Sequence, residues 1–229
     1  MITISPGHWT IGTGARDLID EVTEARKVAK RVTEILRKAG IQTNYVEDNV
    51  SKNQGQNLTY LVTQHNKTTR QLDVSVHFNA SSGRQIRGIG TEVLYYDAKE
   101  LAAKVSKAIS FASGLIDRGA KQRKELSFLA KTNNPAVLIE VCFVNSTVDT
   151  AIYNRDFDKI CQAIAKELAL AVGKTLSTSN NTSGKYDLLD DKDSKVWRIQ
   201  SGAFNSKEDA IKAFEKSGLP YATIKGSTK

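Results

Sequence analysis

Three short apolar segments of this sequence each lead into a residue that can bind a metal or move a proton. They are Ile2–Ser5 before His8, Leu72–Val76 before His77, and Ala136–Ile139 before Glu140. Apolar runs of this length, alternating or continuous, are typical of β-strands. In open α/β sheets, chemistry gathers at the carboxyl ends of the strands. The sequence therefore predicts that His8, His77 and Glu140 meet at one metal-dependent site.

The donor types match those of a hydrolytic zinc site. Zinc in such a site takes three protein ligands, commonly His and carboxylate, and keeps a fourth position open for water. His8 and His77 supply two ligands, and a glutamate at the start of the next predicted helix supplies the third. Glu21 and Glu24 both qualify, and either could instead complement the positive end of the helix dipole. The residues alone leave this choice open.

Glu140 is predicted to act as the general base. It is the one charged residue in the run Ala136–Phe143. Apolar surroundings raise the pKa of a carboxyl group toward the range in which it can accept and return a proton near neutral pH. An unpaired charge in such a run is costly, which argues against a purely structural role.

The segments that position these residues alternate between strand and helix patterns. Further strands are expected at 41–47 and 91–96, and helices at 21–39, 58–65, 101–112 and 160–172, with another helix beginning at Ser146. Residues 117–126 are charged and are predicted to form a loop. Strands that alternate with helices predict a three-layer α/β domain with a central, mostly parallel sheet flanked by helices.

The remaining histidine and the two cysteines are predicted to have no chemical role. His65 is expected at the surface or half-buried, because no strand end or acidic partner accompanies it. Cys142 lies in an apolar run and Cys161 in a helical pattern, so buried free thiols are expected rather than a disulfide.

Composition limits the classes of partner. The formal net charge of +8 is spread along the chain, which favours polyanionic partners. RNA-binding aromatic motifs and zinc-finger spacings do not occur, so no nucleic-acid partner is expected. No apolar run reaches 18 residues, so no membrane insertion is expected.

Four motifs together resemble the zinc-dependent N-acetylmuramoyl-L-alanine amidases, and more narrowly the catalytic domains of phage endolysins and related cell-wall hydrolases. They are Ser5-Pro-Gly-His-Trp9, Asp20-Glu-Val-Thr-Glu24, Ser75-Val-His-Phe-Asn-Ala80 and Pro135-Ala-Val-Leu-Ile-Glu-Val-Cys-Phe-Val-Asn145. The match covers residues 1–174 in the family's order. It implies one Zn²⁺ ion and a peptidoglycan substrate.

The resemblance also implies roles for individual residues. His8 and His77 would be metal ligands, Glu140 the catalytic glutamate, and Asn79 a substrate contact. The family's third metal ligand matches Glu21, which lies 13 residues after His8, with Glu24 as the alternative.

The C-terminal part of the sequence is predicted to form a separate small module. Residues 175–190 are rich in Ser, Thr and Asn and are predicted to be a flexible linker. Residues 191–229 are expected to form a small βαβ unit, with strands at 195–201 and 221–225 around a helix at 207–217. The stretch from Val196 to Phe204 resembles the start of a sporulation-related (SPOR) repeat, which implies peptidoglycan binding. Only half of such a repeat is present.

The function implied is hydrolysis of the amide between N-acetylmuramic acid and L-alanine, in a phage endolysin or a prophage or sporulation autolysin. A zinc peptidase that cuts peptidoglycan stem peptides and a non-catalytic wall-binding protein are the alternatives. Anionic wall polymers are further candidate partners. Because no charged-then-apolar leader opens the sequence, we expect synthesis in the cytoplasm without a signal peptide and action on the wall after release.

Overall fold

A computed structural model describes residues 1–176 and the backbone of three short strands in the remainder of the chain. The chain divides into two compact units, residues 1–177 and 178–229. Among the helices described, none combines the length and the apolarity needed to cross a membrane.

The first unit is built around a six-stranded mixed sheet. Its strands are β1 (Ile2–Pro6), β2 (Thr43–Tyr45), β3 (Leu72–Asn79), β4 (Thr91–Tyr95), β5 (Asp117–Gln122) and β6 (Ala136–Phe143). They lie in the order β2-β1-β3-β6-β4-β5. The first four in this order are parallel, whereas β4 pairs antiparallel with β6 and parallel with β5. The carboxyl ends of β1, β3 and β6 therefore lie at one edge, beside the amino ends of β4 and β5.

Helices cover both faces of this sheet, which confirms the three-layer α/β prediction. They are α1 (Glu21–Lys38), α2 (Gln54–Asn66), α3 (Lys99–Ser113), α4 (Ser127–Lys131) and α5 (Thr147–Ala171). The main core joins α1, α3 and α5 to one face through buried residues such as Ile4, Val74 and Ile139. A smaller cluster on the other face includes Leu138 of β6 and Phe128 of α4. Alternate residues of a strand point to opposite faces, so β6 contributes apolar residues to both clusters.

The start of α1 is set by its own sequence. Asp20 is extended, and its side chain accepts a hydrogen bond from the backbone N–H of Thr23 at 2.9 Å, which caps the helix. Valine and alanine at three- and four-residue spacing bury one side of α1 in the main core. The cap therefore places Glu21 in the first turn.

Three local predictions differ from the structure. Residues 117–122 form β5 rather than a charged loop. Strand β5 is an exposed edge strand without apolar alternation, so periodicity could not reveal it. Helix α4 was not predicted, and the two helices expected after Ser146 form the single element α5, with non-helical backbone at Asp156. The Ser146 side chain accepts from the Asp149 N–H at 3.1 Å, as the capping pattern predicts.

The prediction for His65 was wrong. Its side chain has no exposed surface, and its Nδ1 lies 2.7 Å from Asp73 Oδ1 at the amino end of β3. Arg70 holds the same carboxylate through Nε and Nη2, both at 2.6 Å. The two cysteines are free and buried, as expected.

In the second unit, three strands form an antiparallel sheet in the order β8-β7-β9. They are β7 (Val196–Ile199), β8 (Gly202–Phe204) and β9 (Lys225–Ser227). This differs from the predicted βαβ unit, because β7 and β8 form a hairpin and β9 pairs antiparallel with β7. The predicted helix at 207–217 and nearly all of the predicted linker at 175–190 lie outside the described residues.

Candidate metal centre and active site

Three side chains from separate elements converge at the carboxyl edge of the sheet. His8 follows β1, Glu21 opens α1 and His77 lies near the end of β3. Oε1 of Glu21 is 3.1 Å from His8 Nε2 and 2.9 Å from His77 Nδ1. One ligand atom from each residue lies within 4.8 Å of the other two. Two imidazoles and a carboxylate are a donor set that suits zinc with an open fourth position, so these residues fit the predicted ion.

Two glycines make this close approach possible. A Cβ added to Gly7 would lie 2.0 Å from His77 Cε1, and one added to Gly14 would lie 2.6 Å from Glu21 Oε2. Real Cβ atoms do not come so close to another heavy atom, so any larger residue would displace a donor. The backbone is therefore shaped around the three side chains.

Two backbone N–H groups position the Glu21 carboxylate, and the two histidines favour its ionised form. The N–H of Ala15 donates to Oε2 at 2.6 Å, and the N–H of Phe78 donates to Oε1 at 3.2 Å. Burial opposes ionisation, but hydrogen bonds from His77 and His8 lower the pKa of Glu21 well below its usual range. An ionised carboxylate is the form that binds a cation.

Glu24, the alternative ligand, lies elsewhere. Its carboxylate accepts hydrogen bonds from the Tyr153 hydroxyl and from Lys27 Nζ, both at 2.8 Å. The structure thus brings Glu21, and not Glu24, to the two histidines.

His8 stands on a loop whose backbone is held by side chains from two helices. Its φ is +60°, the only positive φ of a non-glycine residue in the described part of the chain, and such a conformation is uncommon outside glycine. Asn57 of α2 donates to the His8 carbonyl at 3.1 Å and to the buried Asp48 at 2.8 Å. Arg26 of α1 donates to the Trp9 carbonyl at 2.7 Å. These bonds offset the cost of the left-handed conformation and aim the imidazole at Glu21.

Glu140 lies beside the three donors. In the register of β3 and β6 it is the partner of His77, so the two side chains leave the same face of neighbouring strands about 4.8 Å apart. Burial, with the negative charges of Glu21 and Glu92, raises the pKa of Glu140 to about 8. Within residues 1–176, no group forms a hydrogen bond with its buried Oε2. Glu140 can therefore take up a proton from a reacting group.

Asn79, the predicted substrate contact, lies next to a second buried carboxylate, and its role toward a substrate stays a prediction. Its Nδ2 donates to Glu92 Oε1 at 3.1 Å, and Arg118 Nε donates to Glu92 Oε2 at 2.7 Å. Glu92 is the antiparallel register partner of Glu140. Asn79 and Arg118 thus stabilise a second buried carboxylate next to Glu140.

Glu92 and its partner Arg118 were not predicted from the sequence. Glu92 could have been, because, like Glu140, it is an acidic residue within an otherwise apolar strand. Nothing local points to Arg118, because its neighbours are polar and its role depends on β5 pairing with β4. No sequence pattern pointed to Asn57 or Arg26 either, since each donates a hydrogen bond to a loop that is distant in sequence.

Comparison with known proteins identifies a family and similar solved structures. Residues 2–172 match the family described as N-acetylmuramoyl-L-alanine amidase. Among solved structures, the catalytic domain of the CD27L endolysin targeting Clostridia Difficile is 26% identical, with a TM-score of 0.67, over 76% of this chain and 97% of that one. An N-acetylmuramoyl-L-alanine amidase from Clostridium difficile 630 shares the fold, with 24% identity and a TM-score of 0.65 over 75% of this chain and 96% of that one.

Relatives of known sequence are longer than this chain. An uncharacterised protein of Clostridium perfringens (strain 13 / Type A) is 32% identical over 197 residues, which is 83% of this chain and 57% of that protein. A second, 38.4 kDa, protein of Clostridium perfringens is 33% identical over 77% of this chain and 53% of its own length. The chain spans a little over half the length of these relatives. Since the family match extends over most of the sequence, the chain belongs to the N-acetylmuramoyl-L-alanine amidase family.

Proposed function

We propose that this protein is a zinc-dependent amidase that hydrolyses the bond between the lactyl group of N-acetylmuramic acid and L-alanine in peptidoglycan. The observation that carries the proposal is the placement of Glu140 next to a convergent His8–Glu21–His77 set. Membership of the amidase family supports the choice of bond and substrate.

The chemistry divides between the metal and the protein. His8, Glu21 and His77 would hold a zinc ion, and that ion would supply Lewis acidity that makes a water nucleophilic near neutral pH and polarises the scissile carbonyl. Glu140 Oε2, which is buried and has no hydrogen-bond partner within residues 1–176, accepts the proton that the attacking water loses. The same carboxyl group then donates that proton to the leaving nitrogen of L-alanine, so Glu140 ends the cycle ionised.

Glu92, with its partner Arg118, affects how readily Glu140 holds a proton. The negative charge of Glu92 favours the protonated form of Glu140, which is the form that donates to the leaving nitrogen. Arg118 donates to Glu92 at 2.7 Å and pairs with its negative charge. The two carboxylates therefore have different environments, which separates their roles.

The products formed from purified walls test the proposed bond. We expect new L-alanine amino termini on intact stem peptides, and loss of this activity when a chelator removes zinc. Internal cleavage of stem peptides would instead identify a zinc peptidase. A protein that binds walls but releases no new amino termini, with or without zinc, would be a non-catalytic wall-binding protein.

We further propose that the protein acts on the wall after release from the cytoplasm, as a phage endolysin or a host autolysin. The catalytic domain would span residues 1–174, and residues 191–229 would retain it on peptidoglycan through a half SPOR-like repeat. The net charge of +8 supports additional attraction to anionic wall polymers.

Truncation after residue 175 tests this division of roles. The shortened protein should hydrolyse soluble muropeptides at a near-normal rate but bind insoluble walls less well. A shortened protein that aggregates, or that is inactive on soluble substrate, would show that the tail belongs to the catalytic fold.

A further inference from the structure

The two ring nitrogens of His77 face different partners. Nδ1 lies 2.9 Å from Glu21 Oε1, inside the candidate metal set, and Nε2 lies 3.0 Å from Ser75 Oγ. Ser75 is 1% exposed, and this contact is the only hydrogen bond that its hydroxyl makes within residues 1–176. The buried Ser75 hydroxyl therefore contacts only Nε2 of His77, the ring nitrogen that faces away from Glu21.

The contact between Ser75 and His77 bears on which ring nitrogen can bind a metal. A neutral histidine carries its proton on one nitrogen and a lone pair on the other, and only the lone pair can bind a metal. The partner of the protonated nitrogen fixes both the tautomer and the ring orientation. A serine hydroxyl that accepts from Nε2–H leaves the lone pair on Nδ1.

We propose that Ser75 is a positioning residue that makes Nδ1 the metal-binding nitrogen of His77. The inference rests on the proposed function, because it takes the three-donor set to hold zinc. Without a metal, the Nδ1–H of His77 donates to the Glu21 carboxylate and the Ser75 hydroxyl donates to Nε2. With a metal on Nδ1, the ring proton would lie on Nε2 and the Ser75 hydroxyl would accept it. In both states the two contacts determine how the ring stands.

The surroundings of the ring support this role. Turning the His77 ring over about its Cβ–Cγ bond would place carbon atoms where Nδ1 and Nε2 now stand, so both contacts would be lost. Gly7 lies against the Cε1 edge, where an added Cβ would be 2.0 Å away, so the ring has little room to tilt. The two-residue spacing of Ser75 and His77 puts both side chains on one face of β3.

The chain offers a matched control in Ser5. It is the register partner of Ser75 on the adjacent strand β1. Its side chain is also buried, but its Oγ makes no hydrogen bond within residues 1–176. Ser5→Ala and Ser75→Ala thus remove the same atom at the same height in the sheet, and only Ser75→Ala removes a contact to His77.

Zinc affinity, measured by competition with a chromophoric chelator, tests the proposal without relying on activity. Ser75→Ala should bind zinc about 10- to 100-fold more weakly, the usual cost of losing such an outer partner. Ser5→Ala should bind like the wild type, and Ser75→Thr, which keeps the hydroxyl, should retain most of the affinity. Unchanged affinity in Ser75→Ala, or an equal loss in Ser5→Ala, would overturn the inference and leave the proposed function standing. A wild-type protein that binds no zinc would overturn both.

Nuclear magnetic resonance of the zinc-loaded full chain, with labelled histidine, gives a second reading. The sequence has three histidines, so the ring signals can be assigned with single variants. We expect His77 to carry its proton on Nε2 and to bind zinc through Nδ1. Zinc on Nε2 of His77 would overturn the inference directly.

Discussion

Each end of strand β3 contributes one residue to a histidine–carboxylate pair, and the two pairs differ in their surroundings. At the carboxyl end His77 contacts Glu21 at 2.9 Å, and at the amino end His65 contacts Asp73 at 2.7 Å. Asp73 and His77 share a face of β3, about 13 Å apart along the strand. Only the first pair lies next to a third metal donor.

Burial and charge explain the difference. The His65 and Asp73 side chains have no exposed surface, and the Arg70 guanidinium forms an ion pair with the Asp73 carboxylate. The His77 side chain is 19% exposed, and its carboxylate partner also meets His8 rather than an arginine. A histidine–carboxylate pair thus becomes a candidate metal site when it is partly open and joined by a second imidazole. Where an arginine occupies the position of the second imidazole, as Arg70 does beside Asp73, the histidine–carboxylate pair is a buried core contact.

The largest contrast is expected from removing each histidine in turn. His77→Ala leaves the three-donor set with two protein ligands, so bound zinc and activity should disappear together. His65→Ala should keep one zinc per chain at a temperature where it is folded, while its free energy of unfolding falls by about 2–5 kcal/mol. Metal analysis and chemical unfolding measure both effects. A His77→Ala protein with one zinc and normal turnover would remove His77 from the site.

Glu140→Gln separates the base from the ligands at the carboxyl end. Gln keeps the size of the side chain but cannot accept a proton, so kcat should fall by about 10² to 10⁴. Zinc content should stay at the wild-type value. The variant should be purified and assayed for both quantities. Little bound zinc would make Glu140 a ligand, and wild-type kcat would move the catalytic role elsewhere.

Gly7→Ala tests how closely the backbone is fitted around His77. The new Cβ needs space that the His77 ring occupies, so we expect weaker zinc binding and a loss of about 1–3 kcal/mol in the free energy of unfolding. Gly55→Ala in α2 is the control, because its Cβ would meet nothing closer than 3.5 Å. That variant should bind zinc normally. Equal zinc affinity in the two variants would contradict the close fit.

The smallest effect concerns pH and the His65 end. Burial lowers the pKa of His65, against the opposing hydrogen bond to Asp73, and the charge of Arg70 adds to the lowering. The unfolded chain therefore binds a proton that the folded chain does not. The free energy of unfolding should fall as pH decreases below about 6.5, by at most about 1.4 kcal/mol per pH unit.

Urea unfolding of metal-free wild type and His65→Gln between pH 5 and 7.5 measures this slope. The difference between the two proteins isolates His65, because both keep Glu140. The raised pKa of Glu140 contributes with the opposite sign, making stability fall as pH rises. Parallel pH curves for the two proteins would show that His65 does not titrate differently on folding.

Local sequence patterns were enough to predict most of the helices and strands, and most of the residues that meet at the candidate site. Apolar runs placed His8, His77 and Glu140 at strand ends, and the α/β class followed from the alternation of strands with helices. These features are local, because strand and helix periodicity depends on neighbouring residues. The assignment of catalytic and metal-binding roles stays a prediction until the variants above are measured.

The tertiary structure decided which side chains meet. Glu21 rather than Glu24 reaches the histidines because the Asp20 cap sets where α1 begins at the sheet edge. Glu92 faces Glu140 because β4 runs antiparallel to β6, and His65 is buried because α2 packs over Asp73. Register, strand direction and helix packing arise from contacts between residues distant in sequence, which no local pattern encodes. For that reason one histidine–carboxylate pair forms part of a candidate metal site at one end of β3, and another is buried in the core at the other end.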